Sequence, residues 1–250
     1  MVTIDLSGKT AIVTGAGQGL GQCTATVLHA AGANVVINFF DDPSGGNRRR
    51  AEETAARLGE RAVAIAADVR DGAQIRQMFA VAEERFGQVN IVVNNAAIIR
   101  DRTLKKMTDE EWQDVIDTNL TGVFQVCRVA SDRLVEGGRI VNMASISGVV
   151  GFYGQVNYSA AKAGVIAITK VLSKELARRR ITVNSVAPGV VLTEMGKTIP
   201  EEVRAGMIAQ IPLGRFGEPE EISNIILFLC SDLASYVTGQ TIHANGGWIG

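Results

Sequence analysis

Cysteine is scarce in this sequence of 250 residues: Cys23, Cys127 and Cys230 stand far apart among apolar neighbours. There is no Cys-x-x-Cys spacing, and only His29 and His243 could assist them, so neither a disulfide framework nor a metal site is expected. An excess of charge is also missing. Lys plus Arg number 25 against 26 Asp plus Glu, a formal net charge of -1, which supplies no field for nucleic acid or an anionic membrane. The densest basic runs, Arg48–Arg50 and Arg178–Arg180, read first as solvated helix surface. No apolar run approaches the roughly 20 residues that span a bilayer. The N-terminal MVTIDLSGK has no signal-peptide core, so the expected location is cytoplasmic and reducing. Pro/Gly/Ser-rich linkers and internal repeats are absent too, and one domain over 1–250 is expected.

What is present is an alternation. Short Val/Ile-rich runs (TAIVTG, NVVINF, AVAIAA, NIVVNN, RIVNMAS, ITVNSVAP and a short QTIHA) are separated by segments of helical period. The runs are continuously apolar rather than alternating, as strands buried on both faces should be. Helices are predicted over Cys23–Ala31, Asn47–Leu58, Asp71–Phe86, Asp109–Leu134, Tyr158–Arg178 and Pro219–Leu229, with Thr108–Glu111 as a helix start. This order predicts an α/β fold, a parallel sheet covered by helices on both faces. A substrate-loop insertion is placed at about 190–217, beyond a strand end, where such sheets carry ligands.

Two stretches carry chemistry. The first strand runs into TGAGQGLG, Thr14–Gly21, and then into a helix. Glycines at 15, 17, 19 and 21 allow a tight turn and let backbone N–H groups approach a pyrophosphate at the helix start. The spacing is neither G-x-G-x-x-G nor a P-loop, because no Gly-Lys-Ser/Thr follows. The second stretch is NYSAAKAG, Asn157–Gly164. It sets Tyr158 and Lys162 one helical turn apart on one face. A phenol has a pKa of about 10, and a cation beside it makes the group usable as an acid or base.

Taken with NNA at Asn94–Ala96, Asn119 in TNLTG, Ser145, and Pro188–Gly189 with Thr193 beyond, these pieces resemble the short-chain dehydrogenase/reductase family over essentially the whole chain. Within it, IRDRTLKKMTDEEW, PLGRFGEPEEI and TGQTIHANGG are most like the beta-ketoacyl-carrier-protein reductases and related carbonyl reductases. The resemblance implies a Rossmann-type doubly wound fold with about seven parallel strands. It implies Tyr158 as general acid for ketone reduction and base for alcohol oxidation. Lys162 would hold the nicotinamide ribose and lower the Tyr158 pKa. Ser145 would hydrogen-bond the substrate oxygen, and Asn119 would order a water in the proton relay. Hydride transfer to a carbonyl builds charge on oxygen, which a hydroxyl donor and an acid stabilise.

The cofactor contacts implied are Gly15, Gly17, Gln18, Gly19, Leu20 and Gly21 at the turn, and Phe39 and Phe40 after strand two. Asp68 would take the adenine amino group and the Val69 amide a ring nitrogen. Asn94, Asn95, Ala96 and Ala97 follow strand four, with Ala97 standing where the family usually has glycine. Pro188, Gly189, Val191 and Thr193 would hold the carboxamide. Gln18 and Phe40 occupy positions where NADP-using relatives carry arginine, and Asp41 and Asp42 would repel a phosphate, so NAD(H) is favoured over NADP(H). The expected substrate wall is Ser145, Ile146, Val150, Phe152, Tyr153, Gln155, Tyr158 and Met195, with Thr198–Gln210 and Trp248. It suits a ketone, secondary alcohol or acyl thioester. Arg178–Arg180 match the second of two patches that dock an acyl carrier protein in those relatives, although Glu136 departs from the first, near the end of the helix before strand five. A homotetramer built on the two long helices is implied. A small-molecule carbonyl reductase or secondary alcohol dehydrogenase is the alternative, and a non-catalytic nucleotide-binding protein a more distant one.

Overall fold

Seven short strands lie parallel in the order β3-β2-β1-β4-β5-β6-β7. The computed structural model describes residues 3–192 and 201–248. The strands are β1 (Thr10–Val13), β2 (Asn34–Phe39), β3 (Ala62–Ala66), β4 (Val89–Asn94), β5 (Arg139–Met143), β6 (Thr182–Pro188) and β7 (Thr241–Ala244). The helices are α1 (Gly19–Ala30), α2 (Gly46–Leu58), α3 (Gly72–Phe86), α4 (Asp109–Ile116), α5 (Gly122–Arg133), α6 (Ser147–Val150), α7 (Val156–Glu175), α8 (Glu201–Ile208) and α9 (Pro219–Cys230). This is the doubly wound Rossmann-type arrangement. Among the described residues no helix is long and apolar enough to cross a membrane.

Neighbouring side chains of each strand feed opposite cores, which is why the strand sequences are apolar throughout. Ile12, Val36, Val92 and Ile140 pack with Phe79, Val126 and Val165 from α3, α5 and α7. Ala11, Val35, Val93 and Val141 pack with Leu28, Ile222 and Ile226 from α1 and α9. The register slips once, between Thr10 and Ala11 against β4. There the Asn90 side chain accepts the Thr10 N–H at 2.8 Å in place of a backbone carbonyl.

The helical segment from Asp109 is not one regular helix. Asp117–Thr121 form a π-helical turn between α4 and α5. Thr108 caps α4 with a reciprocal capping box to Glu111. The short α6 and the helix α8 lie where sequence periodicity was too brief to predict them, so the expected insertion at 190–217 is partly helical.

Arg179 is engaged within the fold. Its guanidinium donates to the carbonyls of Ser131 and Leu134 at the end of α5, where helical carbonyls lack partners. Arg180 pairs with Glu136 at 2.9 Å. The basic run therefore staples the end of α5 to the turn after α7. Arg179→Ala is expected to lower stability by about 1–3 kcal/mol, the range for losing hydrogen bonds to a charged group. Urea unfolding measures this, and an unchanged midpoint would count against the staple.

Candidate active site

The order of strands reverses between β1 and β4, and loops from both sides open a crevice there. Thr14–Gly21 leave β1 and enter α1. Gln18, the residue preceding α1, gives no side-chain cap. By contrast, Asp71 caps α3 through the Ala73 and Gln74 amides. The first N–H groups of α1 are thus left for an anion. The turn is held close to the loop after β4. Gly15 has φ 61, and a Cβ there would lie 2.9 Å from Ala96 Cα. At Gly21 a Cβ would lie 2.4 Å from Asn95 Nδ2. The cradle accepts glycine and nothing larger at these two positions, which fits a pyrophosphate-bearing cofactor.

Asn95 stiffens this turn: its Nδ2 donates to the carbonyls of Thr14 at 2.9 Å and Gly15 at 3.1 Å. The Thr14 hydroxyl accepts the Asn95 and Ala96 amides at 2.9 and 3.0 Å. Asn38 was not singled out from sequence. Its Oδ1 accepts the Gly15 amide at 3.3 Å and its Nδ2 donates to Ala67 O at 3.0 Å. A polar side chain inside the apolar run NVVINF was the available signal. Ala97 is exposed, and Arg180 is the sole non-glycine described with positive φ, so the methyl in the glycine position fits without strain.

At the adenine end three expectations change. The Phe39 side chain is 4% exposed and belongs to the core, so it offers no ring to a cofactor. Phe40 is exposed, but the Arg70 guanidinium lies over its ring at 5.5 Å. The Asp68 carboxylate, expected for adenine, is held by Arg70 Nε at 2.9 Å and Nη2 at 2.6 Å. Arg48 likewise stacks on Phe39 and bonds Asp41. Val69 is buried, seated against Gly122.

On the other side of the crevice, Ser145 follows β5 and is fixed by the next residue, whose amide donates to Pro188 O at 3.0 Å. Gly189 donates to Ala244 O at 2.9 Å. Gly217 bonds Val190 O and Leu192 N, which leaves the Val191 N–H and C=O facing the opposite way. Thr193 and Met195 lie outside the described residues.

Tyr158 and Lys162 do share a face of α7. Lys162 is 3% exposed, its Nζ donates to Met143 O at 2.6 Å and stands 5.6 Å from the Tyr158 ring centroid. Burial lowers the Lys162 pKa to about 8. Burial also pushes Tyr158 up to about 12, opposed by the Ser145 hydroxyl facing the phenol and reinforced by the Asp101 charge. In this state Lys162 Nζ is turned to the Met143 carbonyl, and burial is the largest influence on the phenol. Asn119 is fully buried in the π-helical turn, and both ends of its amide are used on Ile98, accepting its N–H and donating to its O at 2.8 Å each. Its side chain therefore clamps the loop after β4.

Two substrate-wall expectations also change. Ile146 is 2% exposed, and a side chain so enclosed cannot line an open cleft. Gln155 has both amide ends occupied, by Ser147 and Asp101. The Phe152 ring meets that of Trp248 at 5.5 Å and 48°.

Comparison with known proteins agrees with this geometry. The family model described as enoyl-(acyl carrier protein) reductase matches residues 15–249. The 3-oxoacyl-[acyl-carrier-protein] reductase FabG of Staphylococcus aureus (strain Mu50) is 43% identical over 244 residues, 96% of this chain and 97% of that protein. The protein of the same name from Escherichia coli (strain K12) is 42% identical over 246 residues, 98% of each chain. A crystal structure described as a short-chain dehydrogenase/reductase, glucose/ribitol dehydrogenase, from Brucella melitensis superposes over 100% of both chains with TM-score 0.93 at 36% identity. Fold, crevice and relatives define an NAD(P)-dependent oxidoreductase. The chain belongs to the short-chain dehydrogenase/reductase family.

Proposed function

We propose that this enzyme reduces the 3-oxo group of an acyl thioester to a secondary alcohol, with NAD(H) preferred. The observation that carries the reading is the Tyr158 phenol facing the Ser145 hydroxyl, one turn from buried Lys162 and across the crevice from the glycine cradle. The nicotinamide, when bound, supplies the hydride. Ser145 donates to the carbonyl oxygen and Tyr158 gives up its phenolic proton as negative charge grows there. An ammonium has three N–H donors and Met143 takes one, so Lys162 keeps two for ribose hydroxyls. The glycine turn, Val69, Asn95, Ala96, Ala97, Pro188, Gly189, Val191 and Thr193 would hold the rest of the cofactor. Asp68 would reach adenine only by sharing or leaving Arg70.

The preference for NAD(H) is supported by the pairing of nearby cations. Arg48 is bonded to Asp41 and Arg70 to Asp68, so each guanidinium already faces a carboxylate instead of a 2′-phosphate. The acyl thioester is supported by the names of the relatives and by the apolar Phe152–Trp248 ring pair. One observation favours a small-molecule carbonyl reductase or secondary alcohol dehydrogenase instead: Arg179, a member of the expected carrier-docking patch, is consumed inside the fold.

A matrix of kcat/KM values tests all of this. NADH and NADPH are each paired with acetoacetyl thioesters on carrier protein and on coenzyme A and with a simple ketone, their oxidised forms with a polyol in the reverse direction, and a crotonyl thioester serves as the enoyl control. NADH with an acetoacetyl thioester should be the best pair. A clear NADPH preference overturns the cofactor reading, and better turnover of ketone or polyol than of either thioester moves the enzyme to the alternative.

The same proposal includes a homotetramer pairing α5 and α7 across a two-fold. Phe124 at 47% and Val171 at 53% exposure put large apolar groups on the outer faces of these helices. Light scattering should give four chains, and Phe124→Asp should lower that number; a monomeric wild type rejects it.

A further inference from the structure

Ser145 is tied through the Ser147 backbone to a directed hydrogen-bond chain. The Ser147 N–H donates to Ser145 Oγ at 3.1 Å. The buried Ser147 hydroxyl donates to Gln155 Oε1 at 2.8 Å. A hydroxyl has one proton, so the 2.7 Å contact between the Ser147 and Ser159 hydroxyls must run from Ser159 to Ser147. Gln155 Nε2 then donates to Asp101 Oδ2 at 2.8 Å. A carboxylate only accepts, so Asp101 dictates which end of the Gln155 amide meets Ser147. All three side-chain bonds point toward the anion, an arrangement in which each bond polarises the next. The backbone holds the two segments together, with Arg102 N–H on Gly154 O at 2.8 Å.

We propose that Asp101 is a positioning residue for hydride transfer: by ending this chain it fixes Ser147, whose N–H occupies an acceptor site of the Ser145 hydroxyl and leaves that hydroxyl to donate to the substrate oxygen. The inference rests on the reading of Ser145 and Tyr158 as the reacting pair. Reorienting the Gln155 amide would turn an oxygen toward the Asp101 carboxylate and an NH₂ toward Ser147, releasing the Ser147 proton and with it the turn that aims Ser145.

The charge of Asp101 acts on Tyr158 as well, adding to burial in keeping the phenol protonated. The other charges around Tyr158 are held in ion pairs or hydrogen bonds. On α4, Glu111 pairs with Arg102 at 3.0 Å and Asp114 with Arg100 at 3.8 Å. Asp117 in the π-helical turn accepts from Gln113, and Lys162 on α7 is bonded to Met143 O. Arg139 on β5 is engaged with Asp232 at the opposite end of the strand, and α6 and β6 carry no charged residue. Asp101 forms no ion pair among the described residues.

Steady-state kinetics and pH profiles of Asp101→Ala and Asp101→Asn, with Tyr158→Phe as reference, test the proposal. In Asp101→Ala, kcat should fall by roughly tenfold, as for one charge-assisted hydrogen bond, with cofactor KM nearly unchanged. Asp101→Asn offers an amide oxygen to Gln155 and should recover most of kcat. Both variants should move the alkaline inflection of alcohol oxidation to lower pH, because the negative charge is gone. A wild-type kcat and profile in Asp101→Ala overturns the proposal. So does an equal loss in Ala and Asn variants with an unmoved inflection, the signature of a purely structural role. If Tyr158→Phe is inactive while Asp101→Ala is normal, the positioning role alone fails; an active Tyr158→Phe removes the catalytic reading beneath it.

Discussion

Tyr158→Phe is expected to bind NADH as the wild type does and to lose kcat by roughly 10²–10⁴-fold, the range for a positioned general acid or base. The substitution removes one hydroxyl from a ring that α7 otherwise holds unchanged. That hydroxyl is the group able to give a proton to the growing alkoxide, with Ser145 supplying only a hydrogen bond. The phenol, pushed up to about 12 by burial, is fully protonated at neutral pH and ready for reduction. Oxidation needs the phenolate, so its rate in the wild type should climb with pH while the reductive rate does not. Fluorescence titration with NADH and initial rates separate binding from chemistry. Near wild-type reduction by Tyr158→Phe would dismiss the site.

Lys162→Met should impair both binding and rate. It removes two N–H donors available to ribose hydroxyls, and kcat/KM should drop by roughly 10²-fold, as for charge-assisted hydrogen bonds lost in a closed site. The same substitution has a signature in stability. Lys162 has a folded pKa of about 8, below the ordinary lysine value of 10.5, because burial disfavours the ammonium. Between those values the unfolded chain binds more protons, so the Lys162 contribution to stability rises with pH across that window. The methionine variant lacks this rise. Stability measured by urea unfolding at pH 7.5 and pH 10 should therefore shift in favour of the wild type at the higher pH. Parallel pH curves would mean that the ammonium is less enclosed than its single carbonyl contact indicates.

The location of these groups was legible early because each rests on local pattern. Tyr158 and Lys162 face the same way since four residues make about one helical turn. Continuous Val/Ile runs announced strands buried on both faces, and the glycines of Thr14–Gly21 announced a turn where side chains do not fit. Less legible were features in which one residue answers another far away. The Asp109–Leu134 period looks like one helix, yet the π-helical turn coincides with Asn119, whose amide pairs with Ile98 across 21 residues. Ile146 and Phe39 read as cleft residues by position, but the packing turns both into the core.

Sequence alone thus determined the alternation of strands and helices, the glycine cradle and the Tyr158–Lys162 face, all consequences of steric limits and periodicity within one or two turns of chain. Tertiary structure decided which polar groups meet. Thr14 meets Asn95 across 81 residues, Arg179 meets Ser131 across 48 and Gln155 meets Asp101 across 54. It also decided that Lys162 rests on Met143 O and that Asp68 faces Arg70. The physical reason is that a hydrogen bond needs its partners within about 3 Å. Only the closed sheet, with its order reversed between β1 and β4, brings such distant residues to that distance.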